Sequence, residues 1–204
     1  MIVYYCVEDP LSKAVVERLL LELLDGVDLT ELQPNQGGYG WIKKKLNKYC
    51  ALAQHHFVVI LTDLDSAECP PSLKADWMNK ANVNDSLPEK MSFNIAVTEV
   101  EAWLLADHQN LSNYLGIPAN KLPSDTQITN PKEFLLRCVE SHGNRDAKTE
   151  LLPSGAARVG LGYNAYLSRF ALAHWDFNDA SQRNASLHRM VERIENARQI
   201  VSRS

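Results

Sequence analysis

Three short apolar runs in the first half of the chain each lead directly into carboxylates. They are 2–7 with Glu8 and Asp9, 57–61 with Asp63 and Asp65, and 93–97 with Glu99 and Glu101. Runs of this length that are rich in Val, Ile and aromatic residues are typical of buried strands. Sequence of helical character follows each run, so the pattern predicts parallel strands joined by helices.

Amphipathic segments predict the remaining elements. Pro10 suits a first helical turn, and Gly26 is a stop signal after the apolar stripe of that segment. The predicted helices are 10–24, 41–54, 72–80, 100–107, 110–115, 131 to about 141, 163–174 and 185–201, with a short strand at 27–32, a loop at 34–40 and irregular chain over 142–162. This order predicts an α/β core over 1–107, a mainly parallel sheet flanked by helices. A helical extension over 108–204 is expected to pack on the core in one structural unit.

Length and composition narrow the class of protein. A chain of 204 residues suits one domain and needs no disulfide to hold its core. We expect the four separated cysteines to be reduced thiols, and we find no leader-like or membrane-spanning run, which predicts a cytoplasmic protein. The net charge of −4 argues against tight autonomous binding of nucleic acid.

The acids are the candidate chemistry of the chain. Parallel strands place their carboxyl ends on one edge of the sheet, where ligands of open α/β sheets bind. Carboxylates gathered there would repel one another by several kcal/mol, and a hard divalent cation removes that repulsion. Asp63 and Asp65 are two residues apart, so in extended chain both project to the same face. Glu8 suits a metal ligand or a general base, or alternatively a carboxylate that stabilises the N-terminus of the next helix.

Two groups of basic residues are candidates for contact with phosphate or a partner. Lys43, Lys44, Lys45 and Lys48 lie on one predicted helix face, for which a purely solvated surface is the favoured alternative. Arg189 suits a phosphate contact, or an ion pair with Asp176 or a nearby Glu, equally well.

Several segments in a fixed order resemble a known family. They are Val7-Glu8 with the helix at 10–24, 62–65 with Cys69, 98–107, 162–164, 175–176 and 186–189. The chain resembles small stand-alone Toprim-like (topoisomerase–primase fold) proteins of bacteria, which are often encoded beside ATPases in anti-phage or restriction-type loci. This resemblance implies a Toprim-like fold, Mg²⁺ or Mn²⁺ as cofactor and phosphodiester cleavage as the reaction.

The resemblance also assigns residues. It implies catalytic roles for Glu8, Asp63, Asp65 and Glu101, and metal ligation by Glu8, Asp63, Asp65 and Glu99. The chain departs from the family pattern at Asp9, where Gly is usual, and at Ser12, where a further acid is common.

Three functions follow as hypotheses. The favoured one is a divalent-metal-dependent nuclease that acts with a partner ATPase in anti-phage or genome defence. The second is a non-catalytic subunit that binds or regulates the ATPase, which Ser12 and the acidic net charge favour. The third is a phosphatase-type hydrolase that uses the same acids. Substrate, partner identity and oligomeric state are left open.

Overall fold

A four-stranded, all-parallel sheet forms the centre of the protein. The computed structural model describes residues 1–32, 39–64, 67–83, 86–123 and 128–201. The strands are β1 (Ile2–Cys6), β2 (Asp28–Glu31), β3 (Phe57–Asp63) and β4 (Met91–Ala96), in the order β2-β1-β3-β4. Val3 is in register with Phe57, and Val58 with Met91. The predicted parallel α/β sheet is confirmed.

Helices flank the sheet and form the C-terminal half. Within the described ranges they are α1 (Pro10–Leu23), α2 (Tyr39–Leu52), α3 (Pro70–Lys80), α4 (Glu101–Leu105), α5 (His108–Leu115), α6 (Pro131–His142), α7 (Arg145–Leu151), α8 (Tyr163–Ala173), α9 (Phe177–Arg183) and α10 (Ala185–Val201), with a 3-10 turn at Ala119–Lys121. Within these ranges no helix has the length and apolar character needed to cross a membrane.

The two faces of the sheet are covered by different helices. One hydrophobic cluster joins α2 and α3 to the sheet, with Trp77 packed against Phe93 at 5.3 Å between ring centroids. The other is larger and contains residues from Val3 in β1 to Ala197 in α10. Side chains from 1–107 and from 108–204 therefore share this second cluster.

Two helices differ from the sequence prediction. α7 lies inside the segment that was predicted to be irregular, and α9 was not predicted. Both are seven residues long. Side-chain caps begin them: Asn144 accepts from the backbone N of Ala147 at 2.8 Å, and Asp176 from that of Asp179 at 3.0 Å. Helices this short depend on packing rather than on propensity, so the sequence pattern alone is weak.

The strand order also locates a crevice. From β1 the chain first adds β2 on one side and later adds β3 on the other, so the order reverses between β1 and β3. Ligands of open α/β sheets bind at the carboxyl ends of the strands at such a switch point. Glu8 follows β1 and Asp63 ends β3, so both acids lie at this crevice.

Candidate active site

Glu8 reaches from the end of β1 across to the end of β3. Its Oε1 accepts a hydrogen bond from the hydroxyl of Thr62 and lies 3.2 Å from the backbone N of Asp63. Thr62 is buried at the end of the apolar run of β3, so its hydroxyl is fixed by the strand. The side chain that follows β1 therefore reaches the backbone at the end of β3.

Asp9, rather than Glu8, stabilises the N-terminus of α1. Its Oδ1 accepts from the backbone N of Leu11 at 2.8 Å and of Ser12 at 2.9 Å, and the Ser12 hydroxyl donates to Oδ2 at 3.2 Å. A carboxylate is a favoured N-cap because it satisfies backbone donors that have no intrahelical partner. The helix-end role considered for Glu8 is therefore filled by its neighbour, and Ser12 is part of the same cap.

Asp63 connects β3 to the segment that follows β4. Its Oδ1 accepts from the backbone N of Val100 at 3.1 Å, immediately before α4 begins. This bond fixes the start of α4 against the end of β3, and thus holds Glu99 and Glu101 near the crevice. Asp65, the second acid of the pair predicted on this strand, lies outside the described residues.

The turn between β4 and α4 is strained. Thr98 has a φ of 68°, which is a rare backbone conformation for a β-branched residue, and its hydroxyl donates to the carbonyl of Val97 at 2.7 Å. Such a conformation costs about 1–3 kcal/mol and occurs most often at functional sites. The strained residue directly precedes Glu99.

A lysine from the helical extension lies against the acids that follow β4. The backbone N of Lys132, in the first turn of α6, donates to Oε2 of Glu99 at 3.1 Å. Its ammonium lies 3.5 Å from Oε1 of Glu99 and 3.4 Å from Oε1 of Glu101. One cation therefore bridges two carboxylates at this edge.

Glu101 differs from Glu99 in its environment. The Glu101 side chain is 4% exposed whereas that of Glu99 is 27% exposed. The buried hydroxyl of Tyr163, the first residue of α8, donates to Oε1 of Glu101 at 2.9 Å. Glu101 thus lies beneath Lys132 and Tyr163, and Glu99 lies nearer to solvent.

Burial and charge act in opposite directions on these groups. Burial is the main reason that the pKa of Glu101 is raised, although Lys132 opposes the rise. Burial would lower the pKa of Lys132, but Glu101 and Glu99 outweigh that effect and the pKa is raised. The pKa of Tyr163 is raised by burial and by Glu101, so its hydroxyl stays a donor. Lys132 is therefore held as a cation.

An open cleft of about 620 Å³ adjoins this network. Glu99, Lys132 and Arg158 contribute to its walls, together with Asn130, Glu133, Leu136 and Val159. Two cations on the wall of a cleft beside acids suit a ligand that carries phosphate. The cleft lies where α6 and the segment before α8 meet the edge of the sheet.

The predicted phosphate contacts differ in their surroundings. Lys43 pairs with Asp76 of α3 at 2.6 Å, and the ammonium of Lys45 lies 5.8 Å from the ring centroid of Trp41. Lys44 and Arg189 are exposed. Within the described residues Arg189 forms no ion pair, and Asp176 caps α9 instead.

Lys132 and Tyr163 were not singled out as site residues from the sequence. They lie 31 and 62 residues beyond Glu101, and no local pattern links them to it. One weak signal exists: a lysine in the first turn of a helix is unfavourable next to the positive end of the helix dipole. Lys132 occupies such a position directly after Pro131, which suggests that an interaction outside the helix holds it there.

The acids suit a hard divalent cation only in part. Across the described ranges no three His, Cys, Asp or Glu side chains are close enough to hold a metal ion. The carboxylate of Glu8 contacts the backbone N of Asp63 at the crevice. Mg²⁺ is commonly bound by one or two carboxylates, with water and substrate phosphate completing its shell. Two carboxylates on adjacent strand ends fit that mode of binding.

Fold and site together define an α/β protein with an acidic crevice, bridged by one lysine, at the carboxyl edge of a parallel sheet. Residues 7–166 match the family model described as a domain of unknown function, DUF4276, and the chain belongs to that family. It is also similar to the C-terminal region of the Burkholderia pseudomallei OLD protein, at 16% identity and a TM-score of 0.48, over 96% of this chain and 97% of that one. No curated protein matches the chain.

Proposed function

We propose that this protein is a divalent-metal-dependent nuclease of Toprim type that acts with a partner ATPase in anti-phage or genome defence. The observation that carries the proposal is that Glu8, from the end of β1, accepts from the hydroxyl of Thr62 and the backbone N of Asp63 at the end of β3, which is the switch point of the sheet. Lys132 beside Glu99 adds a cation at the same edge. Acids that hold a metal and an ammonium that contacts phosphate are groups that can stabilise the charge developed in phosphodiester cleavage.

The acids would hold the metal. Glu8 and Asp63 are the proposed ligands, with Asp65 as a further one, and bound Mg²⁺ or Mn²⁺ would activate water and stabilise the leaving oxygen. The backbone N–H of Asp63 and the hydroxyl of Thr62 fix Oε1 of Glu8. The backbone N–H of Val100 fixes Oδ1 of Asp63. These bonds orient both carboxylates before substrate arrives.

Lys132 is the proposed phosphate contact at the reacting end. The Lys132 side chain is 39% exposed, and it lines the cleft. A fixed cation aimed at a phosphoryl oxygen is more effective in such a site than in water, because no solvent reorganisation is needed. Glu101 acts in this scheme through Lys132: it is buried, and Tyr163 holds its Oε1. We therefore propose Glu101 as the positioning residue for the lysine.

The non-catalytic alternative rests on a specific observation. Ser12 stands where related Toprim nucleases often carry an acid, and its hydroxyl is bonded to Asp9 in the cap of α1. A chain with an incomplete ligand set would bind or regulate the ATPase without cleaving nucleic acid. The phosphatase alternative is favoured by the cleft beside Lys132 and Arg158, which is large enough for a small phosphorylated substrate.

A nuclease assay with Mn²⁺ tests the proposal, with and without the product of the neighbouring gene as the candidate partner ATPase. We expect cleavage that depends on metal, requires the ATPase and is lost in Asp63→Asn. Binding is measured separately by thermal melting, since a metal at 100 times its Kd stabilises the fold by about 2.7 kcal/mol. A melting shift without cleavage under any condition would favour the non-catalytic subunit, and release of phosphate from a small ester alone would favour the phosphatase.

A further inference from the structure

Three cations gather beside β4, the last strand of the described sheet. Arg189 and Arg193 lie one helical turn apart on α10, and Lys74 lies on α3, whose Trp77 packs against Phe93 of the same strand. Nη1 of Arg193 donates to the carbonyl of Phe93 and to Oδ1 of Asn94, both at 3.1 Å. We call Lys74, Arg189 and Arg193 the edge cations.

The edge cations are close enough for the charge of one to disfavour the charged form of its neighbour. Burial lowers the pKa of Lys74, and the charge of Arg193 lowers it further. Burial likewise lowers the pKa of Arg193, and Arg189 adds to this, while Glu192 opposes it. Among the described residues none of the three forms an ion pair, and Glu192 lies 3.4 Å from His188 instead. Neighbouring like charges without an ion-pair partner favour an anionic ligand.

The edge cations follow a line that starts at the acidic crevice. Ser186, in the first turn of α10, accepts from the backbone N of Val97 at 3.3 Å and from the indole N–H of Trp103 at 2.8 Å, at the carboxyl end of β4. Arg193 contacts the middle of the same strand. α10 therefore runs antiparallel to β4. Arg189 lies between Ser186 and Arg193, which are about 10 Å apart along the helix axis.

A structural role explains only one of these residues. An edge strand exposes unpaired backbone groups, and a charged side chain such as Arg193 protects it from pairing with another chain. Arg189 is exposed and has no such contact, and Lys74 is partly buried on a different helix. Protection of the strand does not require either of them.

We propose that the edge cations bind the sugar–phosphate backbone of a nucleic-acid strand and lead it along β4 to the acidic crevice. This inference rests on the proposed nuclease function and adds the path of the substrate to it. Arg and Lys contact phosphates without reading sequence, so the path would accept any sequence. An acidic protein would be the competing ligand of such a surface, and the test separates the two.

The test measures binding of a labelled duplex by fluorescence anisotropy in EDTA, so that cleavage plays no part. Each phosphate contact contributes about −0.9 to the slope of log affinity against log salt. Loss of two contacts in Lys74→Ala with Arg189→Ala should make the slope shallower by about 1.8, so that affinity falls about 12-fold less than in wild type between 50 and 200 mM salt. Arg193 is retained because it also contacts β4.

Three controls make the result specific. Arg189→Lys keeps the charge and should keep the slope. Lys90→Ala removes a cation from the opposite end of β4, where its ammonium contacts the carbonyl of His55, and should leave the slope unchanged. Arg189→Ala alone changes an exposed side chain, should fold like wild type by melting temperature and should make the slope shallower by about 0.9.

The outcomes are decisive in both directions. An unchanged slope in Arg189→Ala, or no duplex binding by wild type at low salt, overturns the proposal. The proposal is also overturned if the double variant loses binding of polyglutamate but keeps binding of the duplex. That result would assign the surface to an acidic protein. Slope changes as predicted, with no cleavage by the wild type and its ATPase, would support the edge cations while the nuclease proposal failed. Metal-dependent cleavage with an unchanged slope would support the nuclease proposal and contradict the role of the edge cations.

Discussion

The ammonium of Lys132 lies 3.4 Å from Oε1 of Glu101, a carboxylate buried in the protein, and the same oxygen accepts the hydroxyl of Tyr163 at 2.9 Å. The three residues come from α6, α4 and α8, so the contact joins the helical extension to the end of the sheet. It therefore couples the position of a candidate catalytic cation to the packing of the extension on the core.

Lys132→Gln should reduce metal-dependent cleavage by about 10²–10³ in kcat, the usual effect of losing one fixed group that stabilises transition-state charge. Substrate binding in EDTA should change by no more than the loss of one phosphate contact, which is a smaller effect than the loss of cleavage. The comparison is made with Lys121→Gln, which removes a charge from the exposed 3-10 turn. Equal loss of cleavage in both variants would contradict the role of Lys132.

Glu101→Gln should stabilise the protein in a pH-dependent manner. Because burial raises the pKa of Glu101, its ionisation is disfavoured in the folded state. The free energy of unfolding of wild type should therefore fall, relative to Glu101→Gln, as the pH rises from 4.5, the ordinary value, through the raised pKa. The gain above that range should be on the order of 1 kcal/mol, as for other relieved functional sites.

The same variant should lose cleavage, since Lys132 would keep only Glu99 as a partner. Urea denaturation at several pH values measures the stability, and the nuclease assay measures the activity. A constant difference in stability across the pH range would contradict the raised pKa, and full activity would contradict a positioning role for Glu101.

Tyr163→Phe should destabilise the fold by about 1–3 kcal/mol, because a buried carboxylate oxygen loses one donor. The same change in the Glu101→Gln background should have a smaller effect, since a neutral amide tolerates the loss better than a charge does. A double-mutant cycle by chemical denaturation gives the interaction energy between the two positions. Additive effects would indicate that the 2.9 Å contact contributes little.

Asp63→Asn and Asp63→Ala should differ in stability but not in metal binding. Asn keeps an Oδ1 that accepts from the backbone N of Val100, and it relieves repulsion from Glu8, so apo stability should be equal or higher. Ala loses that bond, which costs about 0.5–2 kcal/mol as at a helix cap. Both variants should lose the melting shift produced by Mg²⁺ or Mn²⁺. A retained shift in Asp63→Asn would exclude Asp63 as a ligand.

Two variants on α2 distinguish a phosphate contact from a structural ion pair. Lys44→Ala tests the phosphate contact, and Lys43→Ala tests the ion pair. Lys44 is exposed, so its loss should weaken duplex binding in EDTA and leave the melting temperature unchanged. Lys43 pairs with Asp76, so its loss should remove a surface ion pair worth about 0.2–1 kcal/mol. If neither variant changes the salt dependence of binding, this helix face is solvated and does not contact nucleic acid.

The order of elements and the edge where the acids lie could be predicted from local sequence. Apolar runs followed by helical segments specify parallel strands, and parallel strands put Glu8 and Asp63 on the same edge, because every strand end in such a sheet points the same way. The observed register of Cys6 with Ile60 agrees with this. The apolar runs were sufficient to predict these strands, because strands that are buried on both faces are almost continuously apolar.

Tertiary structure alone decided which acids are covered and which cation joins them. Glu99 and Glu101 both follow the apolar run of β4, and the sequence pattern does not distinguish them. In the fold, α8 places the hydroxyl of Tyr163 against Glu101. Lys132 is 31 residues beyond Glu101 in the chain, and its contact exists only because α6 packs against α4. Residues so far apart in the chain do not belong to one hydrophobic repeat pattern, so periodicity cannot link them. Their meeting is determined by the packing of whole helices, through the hydrophobic cluster that runs from Val3 to Ala197.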